Sequence, residues 1–221
     1  MVSNGTLALQ RPNPVLWAST PGDYATLSKV HHIPDGTCVD PDRDTLFSVL
    51  EAAHSLNDRL KIAHDVDFFD LQEFSALKCL RNFFHHQEEL RHVVRVVPAG
   101  NYPTITDLMI LCLVPSPIVE SAVEETRERH KEETRQACNA VFHWYGTVVN
   151  INPALFNLVV GAYERMKAAG ISLSGETFQE FEARYQYEED HGHAHRIDGR
   201  IATRAGNLDQ LLADIMGTEG L

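Results

Sequence analysis

The residues best suited to chemistry lie in the run Leu80-Arg81-Asn82-Phe83-Phe84-His85-His86. Arginine is a permanent cation whose planar guanidinium offers paired donors to phosphate or carboxylate oxygens. Histidine gains and loses a proton near neutrality, so it serves as general acid or base. Asn82 adds an amide that can orient a bound phosphate or His86, which lies four residues on and therefore on the same helical face. Together the three suit a reaction in which an anionic group is gripped while a proton moves.

Spacing alone carries little weight. With 12 histidines in 221 residues, about one arginine-histidine pair at this separation is expected by chance, and Arg59 with His64 is a second example. Asn82 directly after the arginine is what sets the first pair apart. Geometry adds a condition, because Arg81 and His86 fall about 140° apart around an ideal helix. They meet at one phosphate only if the helix loosens near His85 or a second copy of the chain completes the site. Arg81 also lies close to His85, Glu88 and His92 around the helix, as an ordinary surface arginine would.

Two other constellations carry metal-ligand chemistry. His191, His193 and His195 alternate beside Glu188, Glu189 and Asp190, and in an extended strand their imidazoles share one face, as a zinc or nickel site would use. A solvated loop is an equally natural reading. Glu51 with His54 and Glu89 with His92 have the Glu-x-x-His spacing of di-iron bundles, but no bridging glutamates are identifiable on other helices. The expectation is therefore no bound metal and no cofactor. The chain has no G-x-S-x-G elbow and no glycine-rich phosphate loop.

The elements that must position these residues are mostly helical. Residues 1–43 hold Pro12, Pro14, Pro21, Pro34 and Pro41, which suits an irregular arm, and residues 44–221 form the helical domain. Leu46, Val49, Leu50, Ala53, Leu56 and Leu60 make one helical stripe behind a cap at Asp44 or Thr45. A second helix is expected over residues 70–97, with Ala76, Leu80, Phe83, Leu90, Val94 and Val97 on one face and Gly100 beyond its end. This helix carries Arg81. Residues 104–114 are apolar and fit a buried strand or a helical turn equally.

Ser116-Pro117 reads as a cap and first-turn proline opening a helix through the charged run 124–135, where Glu125 and Arg129 sit four apart, and on to Ala137, Val141 and Trp144. Asn152-Pro153 opens a helix that is apolar all round, hence central, and ends at Gly170. Ser174 is placed to cap a helix with Phe178, Phe181 and Tyr185, and Asn207 a short last one with Leu208, Leu211, Leu212 and Ile215. The fold class expected is mainly α, a bundle of five to six helices with an irregular N-terminal arm.

Composition limits the partners. A net charge of −12 gives no lysine and arginine cluster for a long stretch of nucleic acid, so DNA binding is not expected and RNA contact is local. The longest apolar stretch, residues 108–114, is too short to span a bilayer, and the N-terminus does not read as a secretory signal. A cytoplasmic protein without membrane contact is expected. Cys38, Cys79, Cys112 and Cys138 stand singly at wide spacings, which suggests small buried hydrophobes and neither a disulfide framework nor a cysteine zinc site.

The Arg-Asn-x-x-x-His run in its helix resembles the active motif of the HEPN superfamily, helical domains named for higher eukaryotes and prokaryotes nucleotide-binding. Arg81, Asn82 and His86 match that motif residue by residue, and the match covers about one helix. The resemblance implies a HEPN-like bundle acting as a homodimer whose two motifs meet at the interface. It also implies a metal-independent endoribonuclease of toxin, phage-defence or RNA-processing type, leaving 2′,3′-cyclic phosphate and 5′-hydroxyl ends, with a protein partner or inhibitor. The proline-rich arm, residues 104–114 and the histidine-rich tail go beyond the family's minimal unit. The alternative is a non-catalytic helical interaction module, a scaffold or antitoxin-like partner, in which the same residues are structural.

Overall fold

The computed structural model describes residues 43–86, 93–98, 108–201, 208, 209 and 212, with backbone alone for 43–45, 86, 93–98 and 108–110. Among the described residues the chain is mainly helical, with six full helices. In order these are α1 (Arg43–His64), α2 (Gln72–His86), β1 (Val93–Pro98), β2 (Leu108–Pro115), α3 (Ser116–Glu125), α4 (Glu128–Val141), β3 (His143–Tyr145), β4 (Val148–Asn150), α5 (Asn152–Ala168) and α6 (Glu176–His191). The proline-rich stretch, Cys38, Glu88, Glu89, Leu90, His92 and most of the expected last helix lie outside the described residues. Leu208, Asp209 and Leu212 of that last segment are helical.

α2 is the helix the others are built around. Phe74, Ala76, Leu77, Cys79 and Leu80 are buried on several sides of it, and it packs against α1, α3, α4 and α5. α1 meets it with the expected stripe: Leu46, Leu50, Leu56 and Leu60 are buried, with Val49 and Ala53 partly so. α5 buries Ala154, Leu155, Leu158, Val160, Ala162, Tyr163 and Met166, as an apolar circumference requires. Gly170 follows it at φ 67, the left-handed turn that ends a helix.

Four expectations change. The second helix stops at His86, and the segment expected to continue it forms β1. Its sequence Val93-Val94-Arg95-Val96-Val97 is β-branched at every position but one, which favours extended backbone over helix. The helix expected from Ser116 to Trp144 is two helices, broken at Thr126, whose backbone is extended at ψ 141. Glu125 and Arg129 therefore lie on different helices, and Glu124 reaches across to Lys131 and Arg135 at 3.3 and 2.7 Å. Ser116 does not cap with its side chain; its hydroxyl donates to the Gly146 carbonyl at 2.8 Å. Likewise Gly175, rather than Ser174, stands at the head of α6, with no side-chain cap.

Of residues 104–114, the first four lie outside the described residues and the rest form β2, which lies inside an antiparallel sheet of order β1-β2-β4-β3. Alternation along β2 explains its continuous apolar sequence. Cys112 and Val114 join the main core, whereas Leu111 and Leu113 join Val148 and Leu212 in a second cluster, flanked by Tyr145, Ile201 and Leu208. Both faces are covered, so neither position set is polar.

Asn150 ties this sheet to α5. It is 1% exposed, and its Oδ1 accepts from the Cys112 N–H at 3.1 Å and the Asn152 N–H at 3.2 Å. The Ile151 N–H donates to the Cys112 carbonyl at 2.9 Å, completing the junction. The chain after α6 straps over the same region: Arg196 bridges Glu73 and Glu164, and Asn157 exchanges two hydrogen bonds with the Ile197 backbone. Only glycine fits at Gly199, where φ is 65 and a Cβ would lie 2.1 Å from Pro153 Cγ.

Asn150→Ala leaves two buried N–H groups without their acceptor, and should lower the unfolding free energy by about 2 kcal/mol. Chemical denaturation measures this. A loss below about 0.5 kcal/mol would show that the junction finds other acceptors.

Candidate functional site

Arg81 projects from the last turns of α2 toward α1, where it meets Glu51. Its Nε lies 2.8 Å from Glu51 Oε1, and its Nη2 donates to Glu51 Oε2 at 3.0 Å. The Nε–Oε1 contact is an ion pair outside hydrogen-bond alignment, and both atoms are shielded from solvent. Nη1 donates to Asn82 Oδ1 at 3.2 Å, so the Asn82 amide braces the guanidinium. The Arg81 side chain is only 18% exposed. Guanidinium carries five N–H groups; one on each Nη is left over by these contacts.

Glu51 serves a third group, since His85 Nε2 stands 3.6 Å from Oε1. The His85 ring also sits 5.9 Å from the Phe47 ring, on the α1 side, and is half exposed. His85 follows Arg81 by four residues, hence the shared face. The resulting cluster, Glu51, Arg81, Asn82 and His85, is nearly neutral when the imidazole is neutral and carries one positive charge when it is protonated. The hydrogen bond from Arg81 holds the Glu51 carboxyl below its ordinary value of 4.5, against the opposing effect of burial.

His86 is the last residue of α2. The helix keeps its form through that position, so it does not loosen near His85 to bring His86 round toward Arg81. Of the three motif residues, the fold brings Arg81 and Asn82 into contact; the His86 side chain lies outside the described residues. Glu51 and His85 complete the cluster. The four-residue step from Arg81 marks His85 in the sequence, but Glu51 is thirty residues away and has no local signal.

The histidine tail gathers only in part: the His191 and His193 rings lie 6.2 Å apart and nearly parallel, while His195 packs elsewhere. α6 runs through His191, so the residues are not in an extended strand, and Gly192 turns the chain at φ 68. His191 stacks on Tyr187 at 4.0 Å and its Nδ1 contacts the Tyr187 carbonyl at 2.7 Å. His195 goes the other way, stacked on Tyr185 at 3.7 Å with Nδ1 2.9 Å from Glu188. Among the described residues no group of three or more histidine, cysteine, aspartate or glutamate side chains is placed to hold a metal ion. The Glu51-x-x-His54 pair also parts: Glu51 holds Arg81, while His54 Nδ1 meets Asp58 at 3.2 Å. Arg59 and His64, the other pair at the motif's spacing, are both exposed on α1.

No helix among the described residues is long and apolar enough to cross a membrane. Comparison with protein-family models, with curated proteins and with solved structures gave no match to this chain.

Glu51→Ala should cost about 2 kcal/mol in chemical denaturation, because it strands a largely buried guanidinium that had two charge-assisted contacts. The pH dependence follows from the lowered carboxyl. As pH falls below 4.5 the unfolded chain takes up the proton first, so the Glu51 contribution declines and vanishes below the folded-state value. Acid titration of stability in wild type should therefore be steeper in this window than in Glu51→Gln. Parallel titrations would show that the pair contributes nothing.

Proposed function

We propose that this chain is a metal-independent endoribonuclease of HEPN type, working as a homodimer, with Arg81, Asn82 and His86 in its site and a toxin or phage-defence role. The supporting observation is the rigid presentation of Arg81: Glu51 and Asn82 fix the guanidinium plane and leave one N–H on each Nη for a phosphate. A pre-oriented cation costs less to organise around a developing phosphorane than a free side chain would.

In this reading the RNA 2′-hydroxyl attacks the adjacent phosphorus while an imidazole takes its proton. The 5′-oxygen leaves with a proton, and the products are a 2′,3′-cyclic phosphate and a 5′-hydroxyl. Arg81 bears the extra negative charge of the intermediate. Because His86 is set about 140° around α2 from Arg81, it acts from a second copy of the chain across a two-fold axis. Contact with RNA is confined to the cleft, in keeping with a net charge of −12.

A second reading has its own observation. The Glu51 carboxylate already neutralises Arg81, as expected of a structural ion pair in a non-catalytic helical module, a scaffold or antitoxin-like partner. The acidic surface also suits a protein partner or a cognate inhibitor more readily than nucleic acid.

Incubation with a labelled mixed RNA pool in EDTA separates the two. Cleavage to 2′,3′-cyclic phosphate ends by wild type, lowered at least about 100-fold in Arg81→Ala and His86→Ala, is the expected result. Equal activity in wild type and both variants, or none in any, transfers the assignment to the interaction module.

A further inference from the structure

The loop between α1 and α2 carries an aromatic ring, Phe69, that is 42% exposed. A single exposed ring says little; the way this one is held says more. The Phe69 N–H donates to Asp67 Oδ1 at 3.2 Å, its carbonyl accepts from the Ser75 hydroxyl at 3.4 Å, and the ring meets buried Phe74 edge-on at 5.7 Å. Two ammonium groups stand over it, Lys78 Nζ at 4.4 Å and Lys61 Nζ at 5.3 Å from its centre. Lys61 is matched by Asp67 at 2.7 Å. Lys78 forms no hydrogen bond or ion pair among the described residues, and Asp58, whose charge reaches it, already meets His54 at 3.2 Å.

We propose that Phe69 and Lys78 form a nucleotide subsite beside Arg81, where a base of single-stranded RNA stacks on the ring and the ammonium holds the phosphate next to the one at Arg81. Lys78 precedes Arg81 by three residues on α2, so the two cations share a face, about 4.5 Å apart along the axis. Burial pulls the Lys78 ammonium below its usual range; Asp58 opposes this and the Arg81 charge adds to it. A partly desolvated cation with no carboxylate of its own gains from an incoming anion. The class of ligand rests on the ribonuclease reading.

A nucleotide fits this pair because it carries a π face and an anion in one unit, as the subsite carries a ring and a cation. On binding, Nζ swings off the ring on its flexible stem, the base takes its place over the ring, and the phosphate takes its charge. Every base has a π face, so the subsite tolerates any sequence. An acidic peptide would engage the lysine but leave the ring unused. On a chain of net charge −12, such local cations are where a polyanion can approach.

The test measures fluorescence anisotropy of a fluorescein-labelled 2′-O-methyl oligoribonucleotide, which has no 2′-hydroxyl to react, with the full chain over a salt series. Lys78→Gln should weaken binding about five-fold and lower the slope of log affinity against log salt by about 0.7, one phosphate contact. Phe69→Leu, which keeps apolar volume without a π face, should weaken it about ten-fold at unchanged slope, and Phe69→Trp should restore it. No binding by wild type, wild-type affinity in Lys78→Gln or Phe69→Leu, or displacement by oligoglutamate as effective as by unlabelled oligonucleotide would overturn the subsite. The cleavage assay reads separately: if wild type cuts RNA in an Arg81-dependent way while Lys78→Gln and Phe69→Leu bind unchanged, the subsite falls and the ribonuclease reading stands.

Discussion

The ion pair between Arg81 and Glu51 is the constraint on which the arrangement of the site depends. α2 is enclosed by α1, α3, α4 and α5, so a permanent cation on it must either reach solvent or find a partner. Arginine cannot shed its proton to escape burial. Here α1 supplies the partner, and a mostly enclosed guanidinium is matched by a carboxylate that also stands near His85. Such a pair contributes modestly in net terms, since desolvation offsets much of the Coulomb attraction. Its larger consequence is geometric, because it sets the rotation of α1 against α2. The Phe47 ring, one turn before Glu51 on α1, packs beside Phe84 and His85 in agreement with that setting.

The opposite end of the core is held differently. Around β2, Asn150 and the junction from β4 into α5, the restraints are neutral hydrogen bonds in full burial. A helix whose apolar residues cover its circumference cannot choose its own rotation by hiding one face. α5 is such a helix, and the Asn150 amide fixes its first turn to the sheet. On its far side Tyr163 packs against Phe178, Phe181 and Tyr185 of α6. α6 itself buries none of its residues, and its place is kept by that aromatic contact and by the strap through Arg196.

What could be read from the sequence follows the strength of each periodic pattern. Leu46, Leu50 and Leu60 recur at helical spacing beside polar residues, and the α1 stripe is where the pattern placed it. Val94 and Val97 also fit a helical face, and there the period misled, because three-residue spacing within a valine-rich run says nothing about backbone. The charged run 124–135 hid a helix break, since a solvated surface looks alike on one helix or two. Trp144 fits the end of that helical pattern but lies in β3; the two-residue turn at Gly146-Thr147 is the available sign of a hairpin. For the site, Arg81 and Asn82 announced themselves by type and order. Glu51 could not, because its role is created when α1 meets α2.

The angular position of the two histidines then decides what kind of site this helix can form. With α2 helical through His86, Arg81 shares its face with His85, four residues on, while His86 is set about 140° away around the helix. His85 stands on that side with its Nε2 3.6 Å from Glu51 Oε1, so the carboxylate that pairs with Arg81 also lies beside this imidazole. The pairing that holds Arg81 in place therefore also decides which imidazole of this helix shares its face.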